Sequence, residues 1–214
     1  RYVSRKFNTN HNKIILNEKH LFDLYTKLVW HNDEPLNFPH SVGIYLLSYL
    51  ATNDVKVLIG GEGADEVFAG YNFFKNPTVH ALKNQITRIA DIKQLINFEN
   101  NNLDYRNNII LNSKHNKLNN LNYYTMKTYL QTIENRLDKM SMASGLEFRV
   151  PFLDHNVVEY SYSLPDNMKY RKNKTKYIIK RLSEKYFPHE QIYRPKIGFS
   201  IPINKWISNP KLFG

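Results

Sequence analysis

Residues 55–71 read VKVLIGGEGADEVFAGY, and this passage says more about the fold than any other part of the chain. Its first five residues form a short, β-branched run that ends at two glycines, which is typical of a buried parallel strand. Gly60, Gly61 and Gly63 permit a tight turn and a close approach of backbone amides to a ligand, at the carboxyl end of a strand where open α/β sheets bind nucleotides. The passage therefore predicts a strand followed by a ligand-binding turn.

Three carboxylates lie within this turn, on Glu62, Asp65 and Glu66. Side by side they would repel one another and any phosphate, unless a divalent metal or a cationic substrate joined them. The alternative is a tight strand-to-helix turn whose acids cap the start of a helix. The residues alone favour neither interpretation.

The segments around the strand predict mostly helices. Apolar side chains recur at helical spacing in four segments, namely residues 20–30, 41–52, 78–96 and 123–144. Residues 174–186 predict a basic helix that ends before Pro188. Asp154 is placed as the N-cap of a further helix. A lone strand needs neighbours for its backbone groups and both faces, so we expect partners before Arg1 or a second strand at residues 11–16. The predicted fold class is α/β, with the end of a nucleotide-binding core in residues 1–75 and a mainly helical part in residues 76–214.

Residues 97–122 interrupt the helical periodicity, and eleven of these twenty-six residues are asparagine. We interpret the segment as an irregular surface insertion. Biased base composition of the gene explains such a run without any function.

Composition excludes several classes of protein. With 214 residues, of which 42% are hydrophobic, the chain can bury a core and is not a disordered tail. It has no cysteine, which excludes disulfides and thiolate chemistry. No apolar run approaches the roughly 18 residues that a membrane helix needs. We therefore expect a cytoplasmic protein that has no membrane partner.

The formal charge of +11 is concentrated near the carboxyl end of the chain. Residues 169–214 contain twelve lysines and arginines and only two acids, Glu184 and Glu190. Such a field could attract nucleic acid or hold the phosphates of a small nucleotide. A solvated lysine-rich surface is the third interpretation, and charge alone does not choose among them.

Four passages resemble the synthetase domain of glutamine-dependent asparagine synthetases. The glycine turn is similar to their signature, in which a hydroxyl residue, Gly, an acid, Gly, x and Asp-Glu precede Phe-x-Gly-Tyr. The other three passages match in the same order: NDEP at residues 32–35, LDKMSMASGLEFRVPFLDH at residues 137–155, and RPKIGFSIP at residues 194–202 with Trp206. Four ordered matches are a much stronger signal than one glycine-rich loop. The resemblance implies an incomplete adenine-nucleotide alpha-hydrolase-like (PP-loop ATPase) core.

The resemblance also implies a reaction. The family uses ATP and Mg²⁺ to convert aspartate to an acyl-adenylate, releases pyrophosphate, and lets ammonia from a glutaminase domain displace AMP. Related enzymes amidate other carboxylates or close lactam rings. The resemblance implies small-molecule partners and no nucleic-acid partner. It is compatible with a homodimer.

By resemblance, three residues carry the chemistry. Glu62 takes the proton of the attacking ammonia or stabilises the cationic nitrogen that forms. Asp65 is a magnesium ligand, because its hard oxygen suits a metal that bridges pyrophosphate oxygens. Lys196 places its charge on the triphosphate as it breaks.

Other matched residues are candidates for binding substrate or nucleotide: Gly60, Gly61, Asp33, Asp138, Glu147 and Arg149. Each has an ordinary structural explanation as well. The Asp-Glu-Pro passage is typical of a helix-ending turn, and a Glu/Arg pair is at least as often structural. Four cations of the basic segment could help to hold a nucleotide or could be solvated: Lys174, Lys176, Lys180 and Arg181.

The chain departs from the family in three ways. It contains no Ser-Gly-Gly-x-Asp-Ser-Ser phosphate loop, and no glutaminase domain with a nucleophilic cysteine at its start. Gly60 stands where the family has a hydroxyl residue that contacts pyrophosphate, and losing that hydrogen bond costs roughly 1.5–3 kcal/mol. We expect this chain alone to be inactive. The alternatives are a catalytically dead remnant that serves as a binding module, and a nucleic-acid-binding protein.

Overall fold

The computed structural model describes residues 2–75, 108–109 and 117–208. The chain divides into two compact units. The first unit consists of Arg1–Ile59, Asn135–Arg149 and Lys196–Gly214, and the second consists of Gly60–Glu134 and Val150–Pro195. Among the helices of the described ranges, none has the length and hydrophobicity that crossing a membrane would require.

The first unit opens with three helices: α1 (Tyr2–Phe7), α2 (Glu18–Asn32) and α3 (Ser41–Ala51). The helix predicted at residues 20–30 is confirmed and is longer, because the Asn17 side chain caps its first turn. The helix predicted at residues 41–52 is also confirmed. Its almost all-round apolar sequence is buried along most of its length.

A two-stranded parallel sheet lies in the first unit. Strand β1 (Val57–Ile59) pairs with strand β2 (Glu147–Arg149), so that each residue of one strand faces one of the other. The predicted α/β fold class and parallel strand are confirmed, but the partner expected at residues 11–16 is wrong because no strand forms there. Leu16 instead packs against α3, where its side chain comes close to Gly43.

The second unit begins with a short helix, α4 (Ala64–Val67), and a 3₁₀ turn at Asn72–Lys75. A helical segment follows at residues 117–142, made of α5 (Lys117–Thr125), a π-helical turn (Met126–Leu130) and α6 (Gln131–Met142). Residues 117–134 of this segment belong to the second unit, and the part of α6 from Asn135 onward belongs to the first. The segment confirms the helix predicted at residues 123–144. The irregular insertion predicted at residues 97–122 is wrong at its end, because residues 117–122 are helical. The rest of the asparagine-rich run, apart from residues 108–109, and the helix predicted at residues 78–96 lie outside the described residues.

The remaining elements of the second unit follow β2. They are a 3₁₀ turn at Pro151–Leu153, then α7 (His155–Ser163), α8 (Asp166–Lys169), α9 (Tyr177–Ser183) and α10 (His189–Ile192). Asp154 caps α7 as predicted, since its carboxylate accepts from the Asn156 amide at 2.9 Å. Helix α9 is shorter than predicted because Lys176 adopts a left-handed conformation ahead of it. The last described helix, α11 (Ile203–Ile207), belongs to the first unit.

The core of the second unit forms around the residues that follow the glycine turn. Val67 and Phe68 are buried with Leu164, and half-buried side chains of α7 and α9 pack against them. Ala69 and Phe74 are buried with apolar residues of α5. The turn is therefore held by hydrophobic burial on the side that leads into α4.

Candidate functional site

The glycine turn connects β1 to α4 and requires glycine at one position above all. Gly63 has a φ of +84° and precedes α4. A Cβ atom on Gly63 would lie 2.2 Å from Leu153 Cδ2, so no other residue fits without moving the core. Gly61, in contrast, is exposed and has open space where a Cβ would be. One side of the turn is thus packed and the other is accessible.

Asp65 forms a half-buried ion pair with Lys176. Lys176 Nζ lies 2.9 Å from Asp65 Oδ1, and the two side chains are 26% and 22% exposed. Gly70 holds the acid from the other side, because its amide donates to the Asp65 carbonyl at 2.8 Å and a Cβ there would lie 1.7 Å from Oδ1. Asp65 is therefore fixed in place with a cation against it.

Glu66 points into the core and has a structural partner. It is 2% exposed, and the Tyr71 hydroxyl donates to its Oε1. Burial, followed by the charge of Glu66, raises the pKa of Tyr71 far above its ordinary value, so this hydroxyl stays protonated as a donor. The repulsion expected among the three acids is thus relieved by Lys176 for Asp65 and by Tyr71 for Glu66.

Two residues that sequence analysis missed anchor the end of α4. The Asn122 side-chain amide and the Ser161 hydroxyl both donate to the Val67 carbonyl, at 2.6 and 2.7 Å. Both residues are buried. Asn122 lies in the run that we assigned to an irregular insertion. The signal that could have identified its helix is the apolar spacing that begins at Leu118.

Lys180 lies close to the Asp65–Lys176 pair and to further lysines. Burial lowers the pKa of Lys180, and the charges of Lys176, Lys174 and Lys75 lower it further, while Asp65 raises it. These cations therefore lie close enough to Lys180 to interact with it electrostatically. Of the four basic candidates, Lys174 and Lys176 both lie near enough to Lys180 for their charges to lower its pKa. The fourth, Arg181, forms an ion pair with Glu184 at 2.5 Å.

In the first unit, Asp33 ends α2 and Asp138 lies on α6. Asp33 has a φ of 59°, and its amide donates to Trp30. Its carboxylate is 82% exposed and pairs with Lys139 at 2.9 Å. Asp138 is exposed, and its carboxylate has no hydrogen bond or ion pair within the ranges that the structure describes. Asp33 is thus a helix-ending residue, and both carboxylates are accessible.

Glu147 and Arg149 face the same side of β2. Arg149 Nε lies 2.7 Å from Glu147 Oε1, and both side chains are more than half exposed. Pairing with Glu147 raises the pKa of Arg149 through the hydrogen bond and the charge. Because the pair is exposed, it contributes little to stability. Its binding role stays a prediction.

Lys196 is exposed, and Phe199 anchors the segment that carries it. The Phe199 ring packs edge-on against His40, with centroids 5.5 Å apart, and a Cβ on Gly43 would lie 2.8 Å from Phe199 Cζ. His40 stays neutral because burial and then the charge of Arg136 lower its pKa to about 4. The first unit therefore fixes this segment beside α3.

The predicted catalytic, nucleotide-binding and metal-binding residues are divided between the units. Gly60, Gly61, Glu62 and Asp65 belong to the second unit, whereas Lys196 belongs to the first. Their convergence on one nucleotide stays a prediction. Within the described ranges, no cluster of three histidine, aspartate or glutamate side chains forms a ready-made metal site.

Comparison with known proteins points to one family. The profile of the family described as asparagine synthase matches residues 1–213. Asparagine synthetase (glutamine-hydrolyzing) 1 of Bacillus subtilis is 30% identical over 94% of this chain and 39% of its own length. The asparagine synthetase of Bos taurus is 28% identical over 96% of this chain and 32% of its own length. That of Mus musculus is 32% identical over 78% of this chain and 25% of its own length. The chain spans at most 39% of these relatives.

Proposed function

Because the chain belongs to the asparagine synthase family, we propose that it is part of the synthetase domain of an ATP-dependent ligase that makes asparagine. The side-chain carboxylate of aspartate attacks the α-phosphorus of ATP, and pyrophosphate leaves. Ammonia then attacks the acyl carbon of the adenylate, and AMP leaves with one carboxylate oxygen. The matched relatives are named glutamine-hydrolyzing, and we propose glutamine as the source of ammonia in the complete protein.

The Asp65–Lys176 pair beside the glycine turn is the observation that supports this proposal. A half-buried acid on α4, just after the glycine turn, pairs with Lys176 and lies near Lys180. Lysine ammonium groups attract phosphates, and a carboxylate among them holds a divalent cation that phosphates also bind. Both kinds of group are needed where a triphosphate is split.

The residues present are suited to a magnesium ion that is bound mainly by the phosphates of the nucleotide. Mg²⁺ keeps several waters and takes one or two protein carboxylates plus phosphate oxygens, so it needs no cluster of three acids. Asp65 supplies one carboxylate and already has the Lys176 ammonium 2.9 Å away, where a cation is stabilised. When bound, the ion neutralises the charge that develops on the leaving pyrophosphate.

We assign the protein's own steps to three side chains. Lys196 places its ammonium on the phosphates and stabilises the charge that grows as the bond to the α-phosphorus breaks. Lys176 moves from Asp65 onto the same phosphates. Glu62, which is half-buried in the glycine turn, accepts the proton that ammonia loses after it attacks.

The complete gene product that contains this chain provides the test. With aspartate, ATP, Mg²⁺ and ammonia, we expect pyrophosphate and AMP in equal amounts. Aspartate labelled with ¹⁸O in its side-chain carboxylate should transfer one label to AMP, because that oxygen stays with the phosphorus. Lys196→Ala should reduce pyrophosphate release by roughly 10²–10³-fold, as the loss of a transition-state charge contact does.

Lys205→Ala is the matched control, because Lys205 is an exposed lysine of α11 in the same unit. It should keep full activity. Unlabelled AMP would exclude an acyl-adenylate, and unchanged pyrophosphate release in Lys196→Ala would exclude the role of that lysine. ATP binding without any pyrophosphate release would instead favour a remnant that binds nucleotide.

A further inference from the structure

A second cationic feature of the second unit is a pocket of about 280 Å³. It lies between α9, α10 and the two-residue hairpin that joins Arg171 to Lys174. The hairpin is closed by reciprocal backbone hydrogen bonds of 3.0 and 2.9 Å. Lys172 and Asn173 at its tip have φ values of 46° and 63°, as a type I′ turn requires. The pocket rim is thus a defined structure.

Positive charge in this pocket exceeds negative charge. Glu184 is the acid that lines it. Arg181 donates to Glu184 Oε2 at 2.5 Å, and the Tyr193 hydroxyl donates to Oε1 at 2.7 Å. These contacts lower the pKa of Glu184, the Tyr193 hydrogen bond most strongly, so it is ionised and both oxygens are occupied. No acid of the lining remains for the other cations.

Three cations of the rim, Arg171, Lys172 and Lys174, form no ion pair within the described part of the chain. Two of them are positioned by aromatic rings. Lys174 Nζ lies 4.2 Å from the centroid of the Tyr193 ring, and the Arg171 guanidinium lies 5.4 Å from that of Tyr177. Cation–π contacts hold these charges at the pocket and neutralise neither.

The pocket adjoins the Asp65–Lys176 pair through one residue. Lys180 lies over the Tyr193 ring at 5.7 Å, on the ring that Lys174 also contacts. The charges of Lys176 and Lys174 both act on Lys180. Cations therefore continue from the glycine turn to the pocket.

We propose that this pocket is a separate binding site for inorganic pyrophosphate. Three uncompensated cations match an anion of several charges, and a guanidinium binds phosphate oxygens in pairs. The volume lies just below the roughly 300–1,000 Å³ of sites that hold drug-sized ligands, which suits a compact ion better than a whole nucleotide. That this ion is the product of the reaction rests on the proposed function, whereas its binding here does not.

Calorimetric titration of the chain with sodium pyrophosphate, without added Mg²⁺, tests the site. Arg171→Gln with Lys172→Gln should weaken binding by at least roughly tenfold, because two charged groups that line the pocket are lost. Lys185→Gln is the control, since Lys185 is exposed in the same segment and does not line the pocket. It should bind like the unchanged chain. Equal binding by the double variant, or equal loss in the control, would overturn the proposal.

Two further measurements separate the possible sources of binding. His189 lines the pocket, so its ring protons should shift in NMR spectra during the pyrophosphate titration. Lys176→Gln should leave these shifts intact if the site is distinct from the glycine turn, and losing them would refute that distinction. A single-stranded RNA that displaces pyrophosphate and binds equally well to the double variant would favour a diffuse basic surface and overturn the proposal. If the ligase assay fails but pyrophosphate binds as predicted, the proposed function is wrong and the pyrophosphate site is supported.

Discussion

Replacing Lys169 by methionine tests how the core of the second unit carries a buried charge. Lys169 is fully buried, and its ammonium donates to Asn119 Oδ1 at 2.6 Å. The ammonium also lies 5.1 Å from the centroid of the Tyr162 ring. Burial raises the pKa of the Tyr162 hydroxyl, which therefore stays protonated. Burial lowers the pKa of Lys169 from 10.5 to about 8, and the charge of Asp166 opposes this only in part.

The sign of the pH dependence follows from this direction. As pH rises, the folded state releases the Lys169 proton near pH 8, whereas the unfolded chain keeps it until about pH 10.5. Between these values the unfolded state binds more protons, so the free energy of unfolding rises with pH. Across the full window the free energy of unfolding rises by about 3 kcal/mol. Between pH 8 and about 9.5 it rises by about 2 kcal/mol.

Urea unfolding followed by far-UV circular dichroism, at several pH values across this window, provides the measurement. We expect the unchanged chain to gain about 2 kcal/mol relative to Lys169→Met between pH 8 and about 9.5. The Asn119 carbonyl loses its donor in the variant at every pH, so that loss does not alter the slope. Asn119→Asp is the control, because a carboxylate there raises the pKa of Lys169 and should remove the gain. A pH-independent difference between the chain and Lys169→Met would refute the reasoning.

Three other predictions concern packing. Gly43→Val should lower the free energy of unfolding by roughly 1–3 kcal/mol, because a Cβ there lies 2.8 Å from Phe199 Cζ; a Phe199→Ala background should reduce the loss, and additivity in the double-mutant cycle would contradict the contact. Asn122→Ala should cost roughly 1–3 kcal/mol by removing a buried donor to Val67, and unchanged urea unfolding would disprove it. Gly63→Ala should lower the thermal midpoint, because it combines a φ of +84° with a clash; an unaltered midpoint would count against the packed turn.

Local signals predicted the elements well where each carried its own information. The β-branched run that ends at Gly60 predicted β1, and Asp154 predicted the cap of α7. Helices α2 and α3 followed from apolar spacing. These features depend on residues within a few positions of one another, so sequence is enough to identify them.

Features that join distant parts of the chain were not predictable in the same way. The partner of β1 lies at Glu147–Arg149, and nothing in either strand specifies that pairing. The ion pair between Asp65 and Lys176 likewise depends on how α9 packs. The helix at residues 117–122 was missed because its asparagines obscured the apolar spacing. Two of those asparagines, Asn119 and Asn122, are buried hydrogen-bonding residues of the core.

The parallel pairing of β1 with β2 has a consequence for synthesis. Roughly 90 residues separate the two strands, so closing the pair costs about 4 kcal/mol of chain entropy before any contact offsets it. On the ribosome, β1 emerges long before β2, and the edge of β1 that faces β2 stays unpaired until then. A product truncated ahead of Glu147 would keep that edge exposed permanently, and such a truncation should collect in inclusion bodies.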